Sequence, residues 1–265
     1  MSFFDSHAHY NDEKFENDRK EILEKIYKEE ITSVVCAGYN LMSSEMAIEI
    51  AKAYNDESLY PKIYSTCGIS PNDIDDVNDI DKEILKMKNL IDENREIIKG
   101  IGEIGLDYYW NKKNAKKQQE IFINQIEFAN EENLPIVIHT RDAVMDTLDI
   151  IKNKKRSKNT GIFHCCPLNI ELIKEGVKLG YYISFSGNIT FKNAKAYEVV
   201  KEVPIERILI ETDSPYLAPE PYRGKRNNSE YVKLVAQKIA EIKNVSLDYV
   251  AEATYRNTKQ IFRIK

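Results

Sequence analysis

The chain has 265 residues, with 38 Lys and Arg against 43 Asp and Glu, for a formal net charge of −5. A chain this long buries about 75% of the surface its unfolded form exposes, and its negative charge excludes a general polyanion binder of the histone type but not a local basic patch. Cys36, Cys67, Cys165 and Cys166 form no CxxC pair. The adjacent pair has poor geometry for bridging itself, so all four read as reduced thiols of a cytoplasmic protein. The start, MSFFDSHAHYNDEK, lacks the basic and apolar regions of a signal peptide. No run approaches the ~20 apolar residues of a membrane helix. The expectation is a soluble cytoplasmic protein with no membrane association and no obligate protein partner.

Short apolar runs alternate with charged segments of helical period along the whole chain. Strands are predicted at 3–9, 31–38, 62–69, 97–106, 135–140, 160–165, 181–186 and 207–212. Helices are predicted between them at 13–30, 43–55, 79–95, 114–133, 142–154, 169–179 and 192–202, then at 227–242 and 246–262. In 114–133, for example, Ile121, Ile123, Ile126 and Phe128 lie among Gln, Glu and Asn. Alternation of this kind implies a parallel sheet with right-handed crossovers. Eight units at this length imply an α/β fold, a single-domain (β/α)8 TIM barrel over 1–265 with extra C-terminal helices. A doubly wound open sheet is the structural alternative.

Histidine is used sparingly: His7, His9, His139 and His164 are all there are. Each falls near the end of a predicted strand, and His7 and His9, two apart, face the same side of theirs. Glu103 falls late in strand 4 and Asp213 at the end of strand 8. Barrel chemistry sits at the C-terminal strand ends, so all six residues fall on one rim. Alone, an HxH pair on a strand is more often a surface or satisfied pair than a metal site, Glu103 reads also as a buried carboxylate paired with a base, and Asp213 as a turn or cap residue. Together they have the donor types of zinc, manganese and related divalent ions. Six ligands exceed one tetrahedral site and suit two ions, with Glu103 as the bridge. The ions would lower the pKa of a shared water, and Asp213 would take its proton as general base.

Several segments carry a resemblance: DSHAH (5–9), GEIGLDYYW (102–110), PIVIHTRDA (135–143), FHCC (163–166), YISFSGNITFKNA (182–194), ETDSPYLAP (211–219) and YRGKRN (222–227). Together and in order they resemble the TatD family of metal-dependent deoxyribonucleases, a TIM-barrel branch of the metallo-dependent hydrolases, over nearly the whole chain. The resemblance implies a 3′-to-5′ exodeoxyribonuclease acting on single-stranded DNA through a metal-bridging hydroxide. It implies two divalent metal ions (Zn, Mg or Mn) on His7, His9, Glu103, His139, His164 and Asp213, with Glu103 and Asp213 catalytic. It assigns phosphate contacts to Arg141 and to the loop of Arg223, Lys225 and Arg226. Read from composition alone, that loop is a solvated basic turn, and Arg141 a partner for Asp142. Tyr108, Tyr109 and Trp110 read equally as a base-stacking platform, as core packing, or as a rim contact between subunits.

Three positions depart from the family pattern. The usual His-Pro-His after strand 3 is Ser70-Pro71-Asn72, which places Ser70 and Asn72 at the substrate site and removes an imidazole expected near the scissile phosphate. Cys-Phe-Ser-Gly after the strand 6 histidine is Cys165-Cys166-Pro167-Leu168, and Arg-Asn-Glu-Pro is Arg226-Asn227-Asn228-Ser229. Both are expected to touch the substrate rim. Two alternatives follow: a TIM-barrel hydrolase of another ester or amide bond, such as aminoacyl-RNA, and a metal-stabilised binding protein with weak catalysis.

Overall fold

The computed structural model describes residues 1–192 and 195–265. Eight strands follow in chain order: β1 (Phe3–Ala8), β2 (Ile31–Cys36), β3 (Lys62–Cys67), β4 (Ile98–Asp107), β5 (Ile136–Arg141), β6 (Gly161–Phe163), β7 (Tyr182–Phe185) and β8 (Ile208–Ile210). Each pairs in parallel with the next, from β1 through to β8. The barrel is nearly closed. Across the β8–β1 seam, His7 O accepts from Asp213 N at 3.0 Å, Ser214 O accepts from His9 N at 2.7 Å, and Ser6 Oγ donates to Ile210 O at 3.0 Å. The open doubly wound sheet is thereby excluded.

Ten α-helical segments are described: α1 (Arg19–Lys28), α2 (Leu41–Tyr54), α3 (Ile80–Glu93), α4 (Tyr108–Asn111), α5 (Ala115–Glu132), α6 (Val144–Asp149), α7 (Ile170–Lys178), α8 (Ala196–Glu202), α9 (Val232–Lys243) and α10 (Leu247–Ile261). Their starts follow local chemistry. Asn40, Asp79, Asn169 and Ser246 each accept from a backbone N–H in the first turn of the helix that follows, a cap worth about 1 kcal/mol. The strands are buried on both faces, hence their near-continuous apolar runs. One apolar cluster joins strands to helices. A second gathers Phe4, Val35, Val137, Ile162, Tyr182 and Leu209 from six strands with Ile261 and Phe262. This is barrel-interior packing, with the end of α10 drawn across it.

The boundaries differ from expectation in informative places. The helix predicted from 13 begins at Arg19, after a 3-10 turn at Glu13–Phe15. The segment 142–154 is α6 followed by a π turn at Ile150–Lys154. The helix predicted from 227 begins at Val232, because Asn228 caps a 3-10 turn at Ser229–Tyr231 first. Of the helix predicted at 192–202, Asn193 and Ala194 lie outside the described residues. Strands β6 and β8 are three residues each, so His164 lies just past β6 and Asp213 three residues past β8. His9 likewise follows β1, Glu103 is mid-strand, and His139 lies two residues before the end of β5. Among the described residues, no helix is long and apolar enough to cross a membrane.

Candidate metal centre

Two of the strands that carry the cluster depart from regular register where its residues lie. Pairing of β1 with β2 shifts between Asp5 and Ala8, and pairing of β4 with β5 shifts between Ile101 and Ile104. Irregularities of this kind re-aim side chains, and here the two spans hold His7 and Glu103. Asp213 sits in a left-handed turn, at φ 56°. Its backbone is held by His7 O.

The result is two adjoining sets of ligand atoms. In the first, His7 Nε2 and His9 Nε2 are 3.2 Å apart, and Asp213 Oδ1 lies 3.7 Å and 3.3 Å from them. Glu103 Oε2 closes this set at 3.5 Å from His7 Nε2 and 3.8 Å from His9 Nε2. In the second, His139 Nδ1 and His164 Nε2 are 3.2 Å apart, and Glu103 Oε1 lies 3.3 Å from His139 Nδ1. Glu103 Oε2 is also 3.6 Å from His164 Nε2. Ligands about 2.0–2.2 Å from a tetrahedral ion stand roughly 3.3–3.6 Å from one another, so both sets match a metal's donor spacing. All six side chains converge, and the carboxylate of Glu103 is shared between the sets.

The chemistry of the donors agrees with a cation. Glu103 and Asp213 are buried or nearly so, and among the described residues their ion-pair partners are histidines, never Lys or Arg. A buried carboxylate pair with no fixed cation is costly, and a bound divalent ion relieves it. Burial alone would raise the Glu103 carboxyl, but His164, His7 and His139 outweigh it and hold the group well below the usual range. Burial likewise opposes ionisation of Asp213, and His9 with His164 and His7 holds it low. His164 is disfavoured as a cation by burial, yet Glu103, Glu211 and Asp213 push it up to about 9. Carboxylates and imidazoles in the cluster thus stabilise one another's charged forms.

Three supporting carboxylates were not singled out from the sequence, although all lie in its motifs. Asp107 Oδ2 is 3.0 Å from His139 Nε2, which turns the other ring nitrogen toward Glu103 in the manner of a carboxylate–histidine–metal relay. Glu211 is fully buried, accepts from Cys165 N at 2.5 Å and lies 3.6 Å from His164 Nδ1. Asp5 accepts from Thr212 N, Thr212 Oγ1, Ser229 Oγ and His7 N. It ties β1 to the turn that carries Asp213. In the sequence, the signal for Asp107 and Glu211 is their place four and two residues from a ligand.

The expected substrate contacts are placed differently from one another. Arg141 is exposed, its guanidinium 3.8 Å from the Tyr109 ring. Arg223 lies over Phe191 and Lys225 over Tyr222. Arg226 is engaged elsewhere, by Asp18 at 2.5 Å and 2.9 Å and by Lys14 O. Ser70 is buried, 3% exposed, and its Oγ accepts from Asn72 N. Asn72 reaches Asp107 Oδ2 at 3.4 Å, so it touches the support of His139. Cys165 takes part in the hold on Glu211. Ser229, expected on the rim, is instead fully buried and bonded to Asp5 and Tyr10.

With this geometry in hand, a family model described as TatD related DNase matches residues 4–263. The chain belongs to the TatD-related DNase family. A relative from Bacillus subtilis (strain 168), described as uncharacterized metal-dependent hydrolase YabD, is 41% identical over 98% of this chain and 99% of its own. One from Escherichia coli (strain K12), uncharacterized metal-dependent hydrolase YcfH, is 40% identical over 75% of this chain and 73% of its own. The crystal structure of YjjV, a TatD homologue from Escherichia coli K12, shares the TatD-type barrel at TM-score 0.91, 22% identity and 99% and 98% coverage of the two chains. A mutant organophosphorus hydrolase from Deinococcus radiodurans shares the barrel more distantly, at TM-score 0.68 and 13% identity.

Proposed function

We propose that this TatD-family metal-dependent hydrolase cleaves phosphodiester bonds of single-stranded DNA from the 3′ end, with two divalent ions held on its rim cluster. The observation that carries the reading is the shared carboxylate: Glu103 Oε2 lies between His7, His9 and His164 while Oε1 faces His139, so one side chain reaches both histidine pairs. A single ion has no use for both sets. His7, His9 and Asp213 with Glu103 would hold one ion, and His139 and His164 with Glu103 the other. Bound there, the ions would supply Lewis acidity and a more acidic water.

The remaining work falls to the chain's own side chains. Asp213 would take the proton of the attacking water, its carboxylate held low by His9 against the pull of burial. Asp107 fixes the His139 ring, and Glu211 flanks His164. Arg141 supplies a fork of donors for the phosphate oxygens, and Arg223 with Lys225 supplies further positive charge. Fold does not fix the bond that is cut, so the test is a metal-dependent hydrolysis panel on single-stranded DNA, duplex DNA, RNA, aminoacyl-RNA and simple phosphate esters. Fastest turnover on single-stranded DNA, shortened from the 3′ end, supports the reading. Turnover only on aminoacyl-RNA or another ester overturns it, and turnover on nothing favours a metal-stabilised binding protein.

A further inference from the structure

The rim beside the metal cluster carries an exposed aromatic pair to which the hydrolytic reading gives no role. Tyr109 and Trp110 are 55% and 66% exposed, and their rings meet edge to face at 4.8 Å. Their backbone is fixed by the metal centre's own support. Asp107 Oδ1 accepts from Tyr109 N at 3.0 Å and from Trp110 N at 3.1 Å, while Oδ2 of the same carboxylate faces His139. The pair therefore stands one side chain away from a proposed ligand. Arg141 follows His139 by two residues on β5 and projects to the same side. Its guanidinium lies 3.8 Å from the Tyr109 ring and 5.6 Å from the Trp110 ring. Among the described residues those rings are its partners, which leaves its five N–H groups unspent. Lys112, Lys113 and Lys116 follow on the same rim, all exposed and, among the described residues, in no ion pair.

We propose that Tyr109 and Trp110 form the platform on which a nucleobase of the cleaved strand stacks, with Arg141 on a phosphate next to that base. The proposal rests on the nuclease reading and names how that site takes its substrate. Aromatic faces accept any base, and cations beside them track the backbone. The faces of a paired base are covered by its neighbours in a duplex, so the platform selects unpaired strands and supplies the single-strand preference. One base–aromatic stack is worth roughly 5- to 150-fold in affinity.

Trp110 is the chain's one tryptophan, so its emission reports on the platform directly. Metal-loaded protein is titrated with a cleavage-resistant phosphorothioate oligothymidylate and with an abasic strand of equal length and linkage. The expected result is a saturable change in Trp110 emission with the thymidine strand, and binding roughly 5- to 150-fold tighter than to the abasic strand. Trp110→Ala should remove that difference and leave abasic binding, metal content and melting temperature unchanged, whereas Trp110→Phe should keep most of it. Equal affinity for the two strands with unmoved emission overturns the platform, and so does a change of oligomeric state in Trp110→Ala without base-dependent binding. These outcomes are separate from the hydrolysis panel. A protein that cleaves DNA but ignores the base keeps the nuclease reading and loses the platform. One that cleaves no nucleic acid loses the reading, and the titration still decides whether a base stacks on Trp110.

Discussion

Glu103 and Asp107 lie four residues apart on β4 and do different work, which substitution should separate. Glu103 offers an oxygen to each half of the cluster, so Glu103→Ala should lose at least one ion per chain and turnover beyond detection. Its fold should persist, because a buried carboxylate surrounded by histidines does not hold the barrel together. Elemental analysis with a melting curve checks this; a variant that unfolds readily yet keeps its specific activity would show a purely structural residue. Of the six cluster residues, Asp107 meets His139, at its far nitrogen. Asp107→Asn should keep the fold and weaken metal affinity or turnover by about 10- to 100-fold, the usual effect of an outer-shell partner. Calorimetric metal titration reads it, and unchanged affinity together with unchanged turnover would remove Asp107 from the site. Tyr109 and Trp110 also hang from this carboxylate, so base stacking is better read from Trp110 itself.

At the scale of elements, the site depends on close approach of neighbouring strands. Gly105 on β4 has φ 137°, and a Cβ there would stand 2.0 Å from His139 O. No side chain fits without moving β5 at its ligand. Gly105→Ala should therefore lower the melting temperature and weaken metal binding together, and a stable variant with normal affinity would contradict the packing argument. The loop after β8 makes a second prediction. Arg226 is spent on Asp18, leaving Arg141, Arg223 and Lys225 for phosphates, with Lys112, Lys113 and Lys116 beyond. Each phosphate neutralised on a single strand contributes about −0.7 to the log–log salt slope, so a slope of roughly −2 to −4 is expected. A slope steeper than about −5 would mean a larger basic surface. These element-level facts were only partly legible in the sequence. Apolar runs and helical periods located the strands and most helices, because burial on both faces leaves a pattern in composition. The strand ends were not legible: β6 and β8 stop after three residues, and the turns beyond them are fixed by distant hydrogen bonds such as those of Asp5 and Asn227.

For the whole molecule, the barrel explains why six residues spread over more than two hundred positions could be read as one site. Chain-order pairing of β1 to β8 brings their C-terminal ends to one rim, so strand counting alone predicts which residues meet. It does not predict which carboxylates stand behind them. Asp107 and Glu211 lie near ligands in sequence, but the hydrogen bonds of Asp5 join segments that no spacing rule connects. The proposed rim site holds two divalent ions with Glu103 between them. Crystals grown with excess manganese or zinc, measured at the metal's absorption edge, test it most directly. Two anomalous peaks per chain are expected, one among His7, His9 and Asp213, the other between His139 and His164, with Glu103 facing both. A single peak, or peaks away from Glu103 at millimolar metal, would contradict it.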